Sequence, residues 1–401
     1  MITATEVPAA EGGTPVRASF LVFGKPLVGA EEIAEVEDTL RSGWLGRGPK
    51  TERFERDFAA YIGARHAIAL NSGTAGLHLA LNALGIGPGD EVLTTPLTFA
   101  ATANSVTHVG ATPIFVDVDR RTGNIDPAAL ERSITPYSRA IIVVHLYGRA
   151  CNMRAIHDIA SAHKLPVIED AAHAVEMRYD GLAPGRLGDI AVFSFYVTKN
   201  MTTGEGGMLV TDDDEIEEKV RVRSLHGLSR DAWKRYSSDG FKTYETMYPG
   251  FKYNMTDIQA SLGMHQLRRI EANLTVRDAH WRTYVQAFTG VTALRTPCED
   301  DSSRHARHLF TIELNLERLR ISRDGFVDAL KAENIGAGVH FTPLHTHAYY
   351  REYFAGREWD LPNAEYIGER TVSLPLSAAL TKDDVLDVVA AVKKICSYYR
   401  R

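Results

Sequence analysis

Four short stretches of this chain carry residue types that could do chemistry. In FSFYVTKNMTTGEGGMLV, residues 193–210, Ser194 precedes Lys199 by five positions, between an apolar run and a glycine-rich turn. A lysine amine can add to a carbonyl and form a Schiff base. Asp170 closes the apolar run VIED and is followed by Ala171, Ala172 and His173, small residues that leave room beside an acid. Gly73 and Thr74 open a helical pattern just after HAIAL, where free N–H groups can face an anion. Phe99, in TPLTFAATANS, offers a flat apolar face past another strand. Each feature also has a plain structural reading. Lys199 could be a solvated charge, Asp170 a helix cap, His173 a satisfied buried histidine, and the Gly73–Thr74 turn an ordinary helix start.

One chemistry would use them together. Pyridoxal phosphate needs a lysine for its Schiff base, a carboxylate at its pyridine nitrogen, donors for its phosphate and a face against its ring. The carboxylate keeps the nitrogen protonated, since an opposite charge favours the charged form. Lys199, Asp170, the pair Ser194 and Thr74, and Phe99 supply those types.

The elements that must position these residues follow from periodicity. AEEIAEVEDTLRSG reads as a helix stopped by Gly43, and ERFERDFAAYIG as a second. The runs HAIAL, EVLTTPLTF, TPIFVDVD, AIIVVHLYG, LPVIEDAAHA, DIAVFSFYV and GGMLVTDD read as strands, with helical patterns between most of them. Alternating strands and helices predict a mainly parallel α/β sheet covered on both faces, with ligands at the strands' C-terminal ends. From about residue 256 one long amphipathic stretch leads into an α+β remainder. The predicted organisation is a loose N-terminal arm over 1–20, a large domain over 21–270 and a small domain over 271–401.

Bulk composition excludes other classes. The 401 residues are 44% apolar and 24% charged, with a net charge of −6 and no basic run, so no nucleic-acid footprint is expected. No apolar run reaches membrane-spanning length, and the N-terminus lacks a signal-peptide pattern. Cys151, Cys298 and Cys396 are far apart, without metal-ligand spacing, and fit a reducing cytoplasm.

The stretches NSGTAGLHLAL, TTPLTFAATANS, VIEDAAHA, FSFYVTKNMTTGEGGML and GFKYNMTDIQASLG, in that order, resemble the DegT/DnrJ/EryC1/StrS family of sugar aminotransferases. The resemblance runs from about residue 25 to the end. It implies the aspartate-aminotransferase fold (fold type I), pyridoxal 5'-phosphate with a pyridoxamine form, and a homodimer with shared sites. It places Lys199 as the Schiff-base lysine, Asp170 at the pyridine nitrogen and His173 near the cofactor's 3′ oxygen. Phe99 falls against the ring, and Gly73, Thr74 and Ser194 at the phosphate. Asn254 would reach the partner subunit's phosphate, although many relatives carry Tyr-Arg where this chain has Tyr253 and Asn254. SGWLGRGPKTERFE, with Trp44 and Arg47, resembles a loop that closes over substrate. VHFTPLHTHAYYRE, with His340 and His345, resembles a segment near the sugar nucleotide.

The activity so implied moves an amine from L-glutamate to a keto sugar nucleotide. Lys199 carries the cofactor at rest and, once released, moves a proton between the donor's Cα and the cofactor's C4′. Histidine at position 173, where relatives acting on 3-keto sugars more often have glutamine, leans the reading toward a TDP-4-keto-6-deoxyhexose. A 3-keto substrate is the alternative. A regulatory, non-catalytic member would need a DNA-binding element or a lost lysine, and neither is visible. Lysine rather than histidine at position 199 disfavours a dehydratase.

Overall fold

The apolar runs form one sheet at the centre of the larger part of the molecule. The computed structural model describes residues 6–229, 245–298 and 303–401. In chain order the strands are β1 (His66–Leu70), β2 (Glu91–Thr94), β3 (Thr112–Phe115), β4 (Ser138–Val144) and β5 (Val167–Asp170). They continue with β6 (Arg178–Tyr179), β7 (Ile190–Ser194) and β8 (Gly207–Thr211). Seven of them pair in the order β1-β8-β7-β5-β4-β2-β3. β3, β2, β4, β5 and β7 run parallel to one another, whereas β8 is antiparallel to both β1 and β7. The sheet is therefore mainly parallel, as the alternating pattern predicts. Its inner strands are apolar on both faces because helices cover both, as in the run of buried residues Ala140–Val144.

This topology decides what meets at one edge. Parallel β4, β5 and β7 bring Val144, Asp170 and Ser194 to their C-terminal ends together. Antiparallel β8 starts where β7 ends, so Gly207 pairs with Ser194 on one side and Leu70 on the other. The helix Gly73–Ala83 leaves that same edge, and its buried residues Leu79 and Leu81 pin it beneath the sheet. Truncating such a leucine to alanine costs about 2–5 kcal/mol, which fixes the helix start, and hence Gly73 and Thr74, with little play.

A second core lies further along the chain. It gathers Trp281, Tyr284 and Phe288 with Phe310, Phe326, Val388 and Ile395. Here β11 (Phe310–Leu314) pairs with β12 (Thr371–Leu374) and with β9 (Leu294–Arg295), while β10 (Ser303–Arg304) pairs back to β6. The long helical stretch expected from residue 256 is two helices, Asp257–Arg268 and Ile270–Phe288, parted at Arg269, whose backbone is non-helical at φ −105° and ψ 8°. Ile270 belongs to the first core and Trp281 to the second, so the latter helix joins them.

Two features differ from the sequence reading. Residues 6–20 are not loose. Glu333 accepts the Ala9 and Val16 N–H groups at 2.8 Å each, and Arg17 pairs with Asp384 and Asp387. Short polar sequence looks disordered when its partners lie hundreds of residues away. The helix Ala30–Ser42 ends at Gly43 as predicted, at φ 72°, but its apolar stripe faces outward, with Ile33 64% and Leu40 54% exposed. Its inward side carries Glu32, which accepts from the Gly29 N–H and from Gln266, and pairs with Arg269.

Candidate active site

The shared strand edge opens into a cavity of about 460 Å³. Gly73, Thr74, Phe99, Asp170, His173, Ser194, Lys199 and His340 all line it. Eight of the residues singled out from sequence thus meet at one place.

Lys199 follows β7 in a turn closed by its own N–H to the Tyr196 carbonyl at 2.9 Å. Its amine has no hydrogen-bond or ion-pair partner among the described residues. Burial lowers its pKa to about 8, against the opposing pull of Asp170. A lysine so placed offers a far larger neutral, nucleophilic fraction near physiological pH than an ordinary lysine does.

Asp170 is 7% exposed. Burial raises its pKa, although the Thr102 hydroxyl, the Ala172 N–H and Lys199 all favour the carboxylate. Thr102 donates to Oδ2 at 2.7 Å, and Ala172 N–H to Oδ1 at 3.2 Å. Since the carboxylate can only accept from Thr102, the Thr98–Thr102 contact of 2.7 Å must have Thr98 as donor. This two-hydroxyl chain aims an acid that is short of a cation, which a protonated ring nitrogen would supply. A bond to a charged group is worth about 1.5–3 kcal/mol, so Thr102→Val should lower kcat by about ten-fold or more. Circular dichroism should show an intact fold, and unchanged kcat would demote Thr102 to a helix spacer.

At the other end of the cavity is an anion cradle. Ser72 caps the helix Gly73–Ala83 by accepting the Ala75 N–H at 3.1 Å. That leaves the N–H groups of Gly73 and Thr74 without a partner among the described residues, beside Ser194. Gly207 has to be glycine, because a Cβ there would lie 2.5 Å from Ser72 C and 2.6 Å from Gly73 N. Displacing this helix start should weaken cofactor binding by about ten-fold or more in Gly207→Ala, the worth of one spoiled hydrogen bond to a charged group at about 1.5–3 kcal/mol. Fluorescence titration of the cofactor-free protein would read this, and wild-type affinity would show that the cradle lies elsewhere.

His173 is wired by the backbone. The Tyr147 N–H donates to its Nδ1 at 3.2 Å, so the neutral ring carries its proton on Nε2. Burial and the nearby Lys199 push its pKa well down, which keeps it neutral. Tyr147 achieves this from φ 61°, a left-handed conformation that bulky residues seldom adopt. Phe99, 65% exposed, lies open at the cavity as a ring without a stacking partner among the described residues. His340 stacks on Phe23 with centroids 5.6 Å apart and contacts Ser373 through Nδ1 at 2.8 Å.

Four expected site residues lie outside this cavity in the single chain. The Arg47 side chain is largely covered rather than solvated, with its guanidinium holding Glu55 at 2.6 and 3.0 Å. Glu55 in turn accepts the Ala69 N–H and pairs with Arg221, so the arginine neutralises a buried acid. Trp44 folds back and donates to the Arg47 carbonyl at 3.2 Å, with its ring 47% exposed. His345 is buried against Glu365 at 3.0 Å, in a short 3-10 turn on the far side of His340. Asn254 bridges Leu70 and donates to the Met255 carbonyl at 3.1 Å.

Sequence reasoning misses Thr98, Thr102, Tyr147 and His308. Thr98 precedes the cap of the helix Ala100–His108 and Thr102 lies in its first turn, so helical spacing alone does not announce their contact. Nothing in the sequence marks Tyr147 as left-handed. The donors in the cradle, the buried acid and the unstacked ring fit pyridoxal phosphate: Gly73, Thr74 and Ser194 would hold its phosphate, Asp170 would stand at its ring nitrogen and Lys199 would reach its carbonyl carbon.

Comparison with known proteins agrees with this geometry. The chain is 51% identical to the spore coat polysaccharide biosynthesis protein SpsC of Bacillus subtilis over 380 residues, 94% of this chain and 98% of that protein. Spr1654 of Streptococcus pneumoniae in its PMP form superposes with a TM-score of 0.89 at 32% identity, covering 94% of this chain and 99% of that one. DesI, solved in the presence of its TDP-sugar product, gives a TM-score of 0.86 at 29% identity, covering 96% of this chain and 95% of that one. The fold is therefore that of pyridoxal-phosphate enzymes of fold type I, and the activity is that of a transaminase. Residues 26–393 match the DegT/DnrJ/EryC1/StrS aminotransferase family, and the chain belongs to that family.

Proposed function

We propose that this sugar aminotransferase converts a TDP-linked 4-keto-6-deoxyhexose to its 4-amino sugar, with L-glutamate as amino donor. The observation that carries the chemistry is the unpartnered, pKa-lowered amine of Lys199 in one cavity with the buried carboxylate of Asp170. Pyridoxal phosphate, when bound, supplies the electron sink for a carbanion at the donor's α-carbon. Lys199 takes and returns the proton at that carbon. Asp170 holds a positive charge at the far end of the site, and Thr102 holds Asp170. His173 offers a fixed N–H donor, and Phe99 gives an apolar wall that excludes water. The TDP-sugar product of DesI supports the nucleotide, and His173 supports position 4.

The test is incubation with glutamate and a panel of 3- and 4-keto sugar nucleotides, with products identified by NMR. Turnover of the 4-keto-6-deoxyglucose nucleotide, with little for its 3-keto isomer, is the expected result. A higher kcat/KM for the 3-keto isomer would overturn the regiochemistry and leave the aminotransferase standing.

The working unit in this reading is a homodimer with shared sites. The outward Ile33 and Leu40, together with exposed Trp44, Leu45 and Val28, form apolar surface that a second copy could cover. Asn254 would then serve the partner's phosphate cradle. Mixing inactive Lys199→Ala subunits with impaired Asn254→Ala subunits should restore partial activity, because one site of each mixed dimer keeps both residues. Light scattering that shows a monomer at working concentration, or verified mixed dimers without rescue, would refute the shared site.

A further inference from the structure

Behind Lys199 lies a chain of buried polar groups that the reaction as described does not use. It starts at Arg277, 2% exposed, which pairs with Glu176, 0% exposed, through Oε1. The second oxygen of Glu176 accepts from Asn200 Nδ2 at 2.7 Å. The same amide nitrogen also donates to the Ala306 carbonyl at 2.9 Å. Both of its hydrogens are therefore spent on acceptors, and the orientation of the Asn200 amide is fixed. What faces His308 is the Asn200 carbonyl oxygen, 2.8 Å from Nδ1.

An amide oxygen only accepts, so His308 Nδ1 must carry a proton. Burial, with the positive charges of Lys199 and Arg277 and the neighbouring His340 and His305, disfavours a second proton on this ring. The neutral ring then leaves Nε2 bare. His308 lines the active cavity, and Nε2 has no partner among the described residues. Its neighbour His173 has the opposite tautomer, with ring centroids 4.3 Å away. One histidine is thus wired as a donor and the other as an acceptor. The titratable groups near enough to exchange electrostatic influence with the Lys199 amine are Asp170, His173, His308 and His340, and Tyr196 and Glu205 line the same cavity. Asp170 is already held by Thr102 and Ala172. His173 presents N–H and cannot accept.

We propose that His308 is a positioning residue for Lys199: its bare Nε2 accepts an N–H of the released amine and turns the nitrogen lone pair toward the reacting carbon. Asn200, the residue after the lysine in sequence, is the tether that makes this possible. A freely rotating amine would sample orientations that point its lone pair away from substrate. A fixed acceptor removes them at no cost in charge, because His308 stays neutral. The inference rests on the aminotransferase reading, but its test does not depend on which sugar is bound.

The protein loaded with pyridoxamine phosphate leaves Lys199 free and is the form to measure. Selective 15N-histidine labelling should show His308 protonated at Nδ1 and bare at Nε2 near neutral pH. Labelling of lysine Cε should give the Lys199 titration midpoint. In His308→Phe that midpoint should fall by about one pH unit, because a neutral acceptor favours the ammonium form. kcat should fall with it, at nearly unchanged KM for the sugar nucleotide. His308→Gln, whose side-chain oxygen can accept in place of Nε2, should recover most of both. A proton found on Nε2 in the unaltered protein, or an unchanged midpoint in His308→Phe, would overturn the proposal.

Discussion

Lys199→Ala will leave a folded chain whose transaminase turnover is lower by at least about 10⁴-fold, since it removes both the covalent tether and the proton carrier. The fold should survive because the lysine amine is unpartnered and sits in a cavity, outside the packed cores. Single-turnover measurement with excess glutamate is the discriminating assay. In the parent, borohydride should fix the cofactor on the peptide that contains Lys199. Label on Lys164 or Lys252 instead would reassign the site. Residual turnover in Lys199→Ala within about ten-fold of the parent would show another group moving the proton, at odds with the size of general acid–base effects.

The second large effect is expected from Asp170→Asn. Loss of a preorganised charge where charge is needed typically costs about 10²–10³ in kcat, and a neutral amide cannot hold the ring nitrogen protonated. Cofactor should still bind, because the phosphate cradle is untouched and Thr102 can donate to the amide oxygen. The variant should also separate activity from stability. Burial raises the Asp170 pKa, so the fold favours its protonated form. The associated stability is present at low pH and fades as pH rises through the raised folded value. At neutral pH the cofactor-free parent therefore bears a strained carboxylate that Asn removes. Its Tm should exceed the parent's without cofactor, and this advantage should vanish once cofactor is bound. Near-normal turnover would reduce Asp170 to an anchor for the turn that follows its strand.

Much of this site is legible in the sequence, for a physical reason. Lys199, Asp170, Ser194 and Gly73 each follow or close a strand. Strands announce themselves by apolar runs, and parallel topology gathers their ends. Local sequence and global position therefore agree at these residues. The failures have the opposite character. Local pattern assigns Arg47 to a ligand or to solvent, because its partner Glu55 is eight residues on, across a turn that periodicity does not resolve. Tyr147 and His308 act through backbone conformation and through a buried chain from Arg277. Both depend on contacts between distant segments. The outward stripe on Ala30–Ser42 shows the limit of amphipathicity: a moment reports that a helix has two faces and leaves open what covers the apolar one.

The contacts of residues 6–21 have a consequence for how the chain is made. Leu21 hydrogen-bonds to Asn334 and Gly336, and Arg17 is held by acids near residue 385. Residues 9–17 therefore wait, during synthesis, for partners made more than 300 residues later. The central sheet, whose last strand ends at Thr211, can assemble meanwhile. The later core cannot be finished until residues near 395 have been made, because it draws on Val16 and Leu21, on the helix Ile270–Phe288 and on Ile395. Closing so long a loop costs entropy before any contact repays it. An N-terminal fusion or a truncation of the first 20 residues should thus act on the last step of folding, and do so far from the site of chemistry.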